Sequence, residues 1–184
     1  MRVLLGVMLP DRVRGELTSR LDAGGPWPQL RRVPAENWHV TLQFLGPWPP
    51  DRCKALSAAM LWSTEVPVFD LRIGPPGQFP AHGPLRVLDL QLQDDGGLAR
   101  LADRIRHTAH EVWPDGPCDR RPFRPHLTLA RGARRGPDTG GIPPVLKDLG
   151  ELPAWSVEGF SLLSSHPVSG GVRYREESFF ALRK

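Results

Sequence analysis

One short sequence pattern occurs twice in this 184-residue chain. His39-Val40-Thr41-Leu42 lies in the first half, and a near copy, His126-Leu127-Thr128-Leu129, lies in the second. In an extended strand alternate side chains point to the same face, so each copy places a histidine and a threonine on one face and two apolar residues on the other. The pattern predicts two strands, each with a polar face that carries an imidazole and a hydroxyl and an apolar face that packs on a core.

The surroundings of the two copies repeat as well. Short apolar runs at 3–9 and 85–92 predict a strand at the start of each half. Each strand is followed by a helical pattern, the first with Asp11 as a candidate N-cap and the second after an Asp-Asp-Gly-Gly sequence. Because strand, helix and motif strand occur twice in the same order, the sequence predicts a duplicated unit.

The alternation of strands and helices predicts an α+β protein with one bilobed domain over residues 1–184. Each lobe is expected to be a β-sheet with helices on its outer face, with the active-site cleft between the lobes. The other predicted elements are motif strands over 38–45 and 123–130, a helix capped by Asp51, a strand over 66–73, loops over 74–84 and 132–141, a short helix over 145–149, and strands over 156–164 and 172–182.

Composition narrows the class of protein. Cys53 and Cys118 stand alone, without the spacing of a zinc site or a disulfide framework, which predicts free thiols in a reducing compartment. No apolar stretch approaches the roughly 18 residues of a membrane span, so we expect a cytoplasmic protein with no membrane contact. The net charge of +4 indicates either a surface that attracts a polyanion or a simple composition bias.

Two histidines on facing strands are suited to acid–base chemistry at phosphorus. Imidazole titrates near pH 6.5, so at neutral pH one ring can accept a proton while the other donates one. One histidine would deprotonate an attacking water, and the opposite one would protonate the leaving oxygen. The hydroxyls of Thr41 and Thr128 would donate hydrogen bonds to the non-bridging phosphate oxygens, where negative charge builds up. This chemistry requires no metal.

The motifs resemble those of a known family in their wider context. His-Val-Thr-Leu-Gln-Phe-Leu-Gly at 39–46 and Arg-Pro-Phe-Arg-Pro-His-Leu-Thr-Leu-Ala-Arg at 121–131 are similar to the two motifs of the two-histidine (2H) phosphoesterases. The resemblance is closest to the LigT/ThpR branch, the bacterial and archaeal RNA 2′,3′-cyclic phosphodiesterases, and covers nearly the whole chain. It implies a bilobed fold, no cofactor, and hydrolysis of a terminal RNA 2′,3′-cyclic phosphate to a 2′-phosphate.

The resemblance also implies roles that the residues alone do not assign. His39 would donate a proton to the leaving 3′-oxygen, and His126 would accept the proton of the attacking water. Some family members also join RNA ends through a 2′–5′ linkage, so weak ligation stays an alternative activity. One departure is Asp89, where family members commonly carry an aromatic residue, and it bears on base stacking and substrate preference near that strand.

Several residues beside the motifs are candidates for substrate binding or for packing. Arg131 is a candidate phosphate ligand, although an unbroken strand would point it away from the cleft unless the strand twists or ends. Gln43 shares the face of His39 and is a candidate for the cleft wall. Phe44 lies on the opposite face and is expected in the core, and Phe123 is expected to pack rather than to stack on a base.

Charged and metal-ligating residues elsewhere leave alternatives open. His107 and His110 lie three residues apart on a predicted helix, but no third metal ligand is evident, so we expect no metal site. An arginine-rich segment around the second motif indicates either an electrostatic path for RNA or an ordinary solvated rim. Its arginines are Arg120, Arg121, Arg124, Arg134 and Arg135.

Three functions fit the sequence. The first is a metal-independent RNA 2′,3′-cyclic phosphodiesterase that acts as a monomer on RNA or on a nucleotide ending in a cyclic phosphate. The second is a non-catalytic module that binds RNA ends, which would not need two proton-transfer groups. The third is an enzyme for another substrate, such as the cyclic phosphate of a nucleotide-sugar or a small 2′–5′ oligonucleotide. The sequence has no P-loop and no G-x-G-x-x-G or G-x-S-x-G motif, which disfavours nucleotide-hydrolysing motors, dehydrogenases and serine hydrolases.

Overall fold

The structure is a computed structural model that describes residues 1–25, 27, 30–119, 121–132, 142–169 and 171–184. Short 3₁₀ turns lie at Ala35–Asn37 and Met60–Glu65. The strands are β1 (Arg2–Met8), β2 (Leu30–Arg32), β3 (His39–Pro47), β4 (Phe69–Phe79), β5 (Val87–Gln93), β6 (His126–Gly132), β7 (Trp155–Val157), β8 (Gly159–Val168) and β9 (Gly171–Ala181). The helices are α1 (Asp11–Ala23), α2 (Pro50–Ala59), α3 (Gly97–Val112) and α4 (Pro144–Lys147).

The strands form one curled antiparallel sheet of nine strands. Its order is β7-β4-β5-β6-β3-β1-β8-β9, and β2 pairs with β6. The two motif strands, β3 and β6, are neighbours at the centre of the sheet, where Val40 lies opposite Leu127. The predicted α+β fold is therefore confirmed, and the sheets of the two lobes are joined into one at this seam.

Apolar side chains cover one face of the sheet and fix which residues face the other way. Leu88 and Leu90 of β5 are fully buried in the same core as Leu17 of α1 and Ile105 of α3. Helix α3 packs against β3 and against α2. Val40 of β3 and Leu127 of β6 are buried in this core as well. Because a strand alternates faces, the histidine and threonine on either side of each of them point toward the opposite, open face.

A β-bulge interrupts each motif strand at the same place. The pairing of β3 with β1 passes from Thr41 to Gln43, so Leu42 has no partner, and the pairing of β6 with β5 likewise leaves out Leu129. An extra residue in one strand reverses the alternation of faces beyond it. The fifth residue after each motif histidine, Phe44 in β3 and Arg131 in β6, is thereby turned toward the open face.

The predicted N-caps of the first two helices are wrong. The N-cap positions are occupied by Pro10 and Pro49, and Asp11 and Asp51 lie inside the first turn. A carboxylate in the first turn is favoured by the helix dipole without capping a backbone N–H group. Asp11 instead accepts a hydrogen bond from Arg14 at 2.6 Å.

The predicted loop over 74–84 is also wrong over its first part, because β4 continues to Phe79. A bulge between Ile73 and Pro76 absorbs the Gly-Pro-Pro sequence, and pairing with β5 resumes as far as Phe79 opposite Val87. Among the described strands, β7 pairs with β4 only over 69–71. The prolines therefore lie where one edge of β4 has no described strand beside it, which is where a strand tolerates them.

Other boundaries differ from the predicted ones for identifiable reasons. The strand predicted over 156–164 is two strands, because Glu158 separates β7, which pairs with β4, from β8, which pairs with β1 and β9. Strand β2 has three residues, too few to show an alternating pattern. Strand β6 begins at His126 rather than at 123 and ends at Gly132, and residues 133–141 of the predicted loop lie outside the described residues. Among the helices of the described residues, none combines the length and apolarity that crossing a bilayer requires.

The seam between the two halves should be a sensitive point for stability. Leu127 is 0% exposed, so Leu127→Ala should lower the free energy of unfolding by about 2–5 kcal/mol through lost burial and a residual cavity. The measurement is urea unfolding followed by circular dichroism. Leu61→Ala is the matched control, since Leu61 is 79% exposed and its truncation should change stability by less than about 0.5 kcal/mol. Equal effects of the two substitutions would contradict the seam's importance.

Candidate active site

The polar faces of β3 and β6 open into a cleft of about 790 Å³. The cleft runs across the seam, so both halves of the sheet contribute to its walls. The structure brings together in it all five residues predicted as the site, which are His39, Thr41, His126, Thr128 and Arg131.

The two histidines are held by matching hydrogen bonds. Nδ1 of His39 lies 2.7 Å from the carbonyl oxygen of Asn37, and Nδ1 of His126 lies 2.7 Å from that of Arg124. A carbonyl oxygen can only accept, so Nδ1 carries the proton in each ring. The Nε2 atom of each ring is therefore the atom that can take up or release a proton.

The surroundings of His39 include two residues that the sequence pattern did not reveal. The ring of Tyr174, the chain's single tyrosine, meets the His39 ring edge-on at 4.6 Å between centroids. The buried side chain of Asn37 donates to the carbonyl of Val172 at 2.6 Å and accepts from the N–H of Tyr174 at 3.3 Å. This clamp fixes β9 to the segment before β3, and so places the tyrosine against the histidine.

Electrostatics lower the proton affinity of His39. Burial is the main cause that moves its pKa below the ordinary value, and the positive charges of His126 and Arg131 act in the same direction. The hydrogen bond to the carbonyl of Asn37 opposes these effects. At neutral pH the free protein therefore holds His39 largely in the neutral form.

Thr41 and Thr128 lie beside the histidines on the cleft face. Within the described part of the chain neither hydroxyl has a hydrogen-bond partner, which leaves both free to donate to a ligand. Gly6 lies opposite Thr41, and a Cβ atom there would come within 2.8 Å of the carbonyl oxygen of Val40. A glycine at this position therefore permits the close approach of β1 to the motif strand.

Arg131 reaches the cleft by a route that strand alternation alone did not predict. The bulge at Leu129 reverses the faces of β6, so Arg131 lies opposite Val87 and points to the same side as Thr128. Its guanidinium makes no hydrogen bond or ion pair with any described residue. Within the described part of the chain the cleft therefore presents an unpaired cation, which is close enough to lower the pKa of His39.

The corresponding bulge in β3 corrects the prediction for Phe44. Phe44 is half-buried and lines the cleft instead of filling the core. Gln43, a candidate for the cleft wall, does border the cleft, but it is 5% exposed and donates a hydrogen bond to the carbonyl of Asp119 at 2.8 Å. It thus ties β3 to the segment that leads into β6. Phe123 lies in the cleft wall and packs against the core.

The arginines around the second motif differ in what they contact. Arg121 forms an ion pair with Asp119, which lowers the pKa of that carboxyl, and Arg124 is exposed at the cleft wall. Arg120, Arg134 and Arg135 lie outside the described residues.

The two histidines that lie three residues apart in the sequence are on α3, outside the cleft. His107 and His110 are exposed on α3, and His107 lies 3.3 Å from Glu111. They border a second cavity of about 490 Å³. Among the described residues no group of three or more histidine, cysteine or carboxylate side chains could hold a metal ion.

The cleft therefore combines two nitrogen atoms that can exchange protons with two hydroxyls and a guanidinium that can donate hydrogen bonds to an anion. Both histidine rings line the same open space together with the hydroxyls of Thr41 and Thr128 and the guanidinium of Arg131, which have no hydrogen-bond or ion-pair partner among the described residues. Such a set can move protons on opposite sides of a phosphorus atom while holding its non-bridging oxygens.

Comparisons with known proteins converge on one family. The model of the 2′-5′ RNA ligase superfamily matches residues 11–167. The RNA 2′,3′-cyclic phosphodiesterase of Thermus thermophilus is 34% identical over all of this chain and 91% of its own length. The crystal structure of TT0787 of Thermus thermophilus matches all of this chain and 98% of that one, with a TM-score of 0.85 and 31% identity. The crystal structure of Escherichia coli LigT complexed with 3′-AMP gives a TM-score of 0.78 and 29% identity over the same shares.

The protonation of His39 should follow from its surroundings. In the free protein His39 should be half-protonated below pH 6.5, because burial and two neighbouring cations disfavour its charged form. Arg131→Ala removes one of those cations and should move the midpoint upward, as should added inorganic phosphate. The measurement is an NMR titration of the histidine ring carbons. Arg124→Ala, which removes a cation from the same cleft, is the control and should move the His39 midpoint less; the reverse order would contradict the assignment.

Proposed function

The chain belongs to the 2′-5′ RNA ligase superfamily as a LigT-like two-histidine phosphoesterase, and from that membership we propose that it opens terminal 2′,3′-cyclic phosphates of RNA to 2′-phosphates. The observation that carries the proposal is the pair of histidines that line one cleft, each with Nδ1 held by a backbone carbonyl and Nε2 left as the nitrogen that can exchange a proton. The relatives named RNA 2′,3′-cyclic phosphodiesterase support the substrate. The structure of LigT with 3′-AMP supports the binding of a nucleotide.

The proposed reaction is an in-line displacement at phosphorus. Water attacks the phosphorus atom on the side of His126 and transfers a proton to Nε2 of that ring. The bond between phosphorus and the 3′-oxygen breaks, and Nε2 of His39 gives its proton to that oxygen. The product carries a 2′-phosphate and a free 3′-hydroxyl, and the two rings have exchanged protonation states.

The remaining site residues stabilise the charge that develops on the phosphoryl oxygens. The hydroxyls of Thr41 and Thr128 donate one hydrogen bond each, and the guanidinium of Arg131 supplies a compensating positive charge. These groups are free of other partners among the described residues, so they need not break a bond to bind the substrate. Preorganised donors of this kind cost little rearrangement when the transition state forms.

The lowered pKa of His39 must be reconciled with a role as proton donor. A donor has to be protonated when the substrate is bound, and the cleft by itself favours the neutral form of this ring. A bound phosphodiester brings a negative charge beside the ring and so raises its pKa. On this mechanism the substrate itself prepares His39 to act as the acid.

Loss of either histidine should abolish most of the reaction. His39→Ala and His126→Ala should each lower kcat/KM by about 10²- to 10⁴-fold, the usual contribution of a positioned acid or base. The assay uses an RNA oligonucleotide with a terminal 2′,3′-cyclic phosphate in EDTA, with the products resolved by phosphate position.

His110→Ala is the matched control, because it removes an exposed histidine from α3 outside the cleft. It should leave the rate unchanged. A wild-type protein that binds the RNA without opening the ring would overturn the proposed activity in favour of an RNA-end binding module. Activity that EDTA abolishes would contradict a metal-independent mechanism.

Substitution of the two histidines should have different effects on activity when the leaving group needs no proton. When sulfur replaces the 3′ bridging oxygen, the leaving thiolate departs without protonation. His39→Ala should then lose far less activity on the sulfur substrate than on the oxygen substrate, whereas His126→Ala should lose activity on both. The measurement is the ratio of kcat/KM values for the two substrates. Selective recovery of His126→Ala instead would reverse the two roles.

Four expectations from the sequence stay predictions. They are a single domain over residues 1–184, a monomeric state, a cytoplasmic location and weak 2′–5′ ligation.

A further inference from the structure

Two acidic side chains line a cleft that otherwise suits an anion, and of these Asp119 is paired with Arg121. Asp89 lies on β5 directly opposite Thr128, on the face that lines the cleft. It makes no hydrogen bond and no ion pair with any described residue. A carboxylate repels phosphate, so its place beside a phosphate-binding hydroxyl calls for a ligand group that donates hydrogen bonds.

The fold makes room for this carboxylate. Gly77 of β4 lies opposite Asp89, and a Cβ atom on that glycine would come within 2.6 Å of Oδ1 of Asp89. The carboxylate therefore leans over the glycine and occupies the space that another side chain would fill. Burial raises the pKa of Asp89, and the charges of His126 and Arg124 lower it. Donors from a ligand would replace the water contacts that burial removes.

An exposed aromatic ring lies next to the carboxylate on the same face. Phe79 is two residues after Gly77 on β4, lies opposite Val87, and is 57% exposed. It lines the cleft together with Val87. Exposed aromatic rings beside RNA-binding clefts stack on unpaired bases. The wall formed by β4 and β5 thus offers a flat apolar surface, the Phe79 ring, and a hydrogen-bond acceptor beside it, the Asp89 carboxylate.

The chemistry of a cyclic phosphate end leaves few donors for Asp89 to meet. Both the 2′- and 3′-oxygens of the terminal ribose are in the ring, and its 5′-oxygen carries the next phosphate. The donors on that nucleotide therefore belong to the base. Guanine presents N1–H and N2–H side by side, which match the two oxygens of a carboxylate, whereas the other bases offer one donor group each.

We propose that Asp89 binds the Watson–Crick edge of the terminal base and makes the chain prefer RNA ends with a guanosine 2′,3′-cyclic phosphate. This inference rests on the proposed function, because it places the cyclic phosphate between the two histidines. The base is attached to C1′, the neighbour of C2′. With the cyclic phosphate between the histidines, the base therefore reaches strand β5 beside Thr128. Antiparallel neighbours lie about 4.5–5.5 Å apart between Cα atoms, which is within that reach.

The test compares four dinucleotides that differ in the terminal base and share the same 5′ residue. The wild type should open the guanosine ring with a kcat/KM about tenfold above that for uridine, in the range of bidentate contacts to a base edge. Asp89→Asn keeps the shape but loses one acceptor oxygen, and should remove this preference. Gly77→Ala keeps the charge but displaces the carboxylate, and should weaken the preference as well. Asp115→Asn, the same change at an exposed turn, should preserve it.

Affinities for the four corresponding 2′-phosphate products, measured by calorimetry, separate this inference from the proposed function. If the wild type opens no ring, the proposed activity fails, and the base ranking of the affinities still decides the role of Asp89. Equal rates and affinities for all four bases would overturn the preference while leaving the activity intact. The remaining outcome is that Asp89→Asn lowers kcat/KM equally for all four bases and shifts the pH profile. That result would make Asp89 a residue that positions His126 and would also overturn the proposal.

Discussion

The backbone contact between Val40 and Leu127 is the constraint on which the site depends. These two residues sit between the histidine and the threonine of their motifs, and their side chains are buried on the core face. When they pair, His39 and His126 must emerge on the same open face of neighbouring antiparallel strands. The identical hydrogen bonds from Nδ1 to the carbonyl two residues earlier then aim both rings in equivalent ways. The chemical symmetry of the cleft is thus a property of the backbone.

The environment breaks that symmetry. His39 has Tyr174 against its ring and Asn37 behind it, whereas His126 lies on a segment held by prolines on either side of Phe123 and Arg124. The fifth position after the histidine carries a phenylalanine in one half and an arginine in the other. Two rings with the same geometry therefore lie in different electrostatic environments. Such a difference is the condition for one ring to act as the acid and the other as the base.

Much of this site could be predicted because the repeated motif combines a strand period with titratable residues. The period correctly assigns the faces of His39, Thr41, His126 and Thr128, and the family expected from the motifs is confirmed. The strand period assigns the wrong faces beyond Leu42 and Leu129, because a bulge adds a residue without changing the residue types that a pattern detects. The period alone therefore places Phe44 in the core. Tyr174 could not be assigned, since a contact between β9 and β3 depends on pairing across most of the chain.

The placement of β1 between β3 and β8 affects the order in which the strands can pair while the chain is being synthesised. Because β1 precedes β8 by most of the chain described here, it must keep one edge open until β8 is synthesised and can pair with it. Tyr174, which completes the wall around His39, is on the strand that follows. Contacts of such long sequence separation slow folding. During translation the two motifs can meet well before the surroundings of His39 are finished, so a nascent chain acquires its reactive groups earlier than the environment that tunes them.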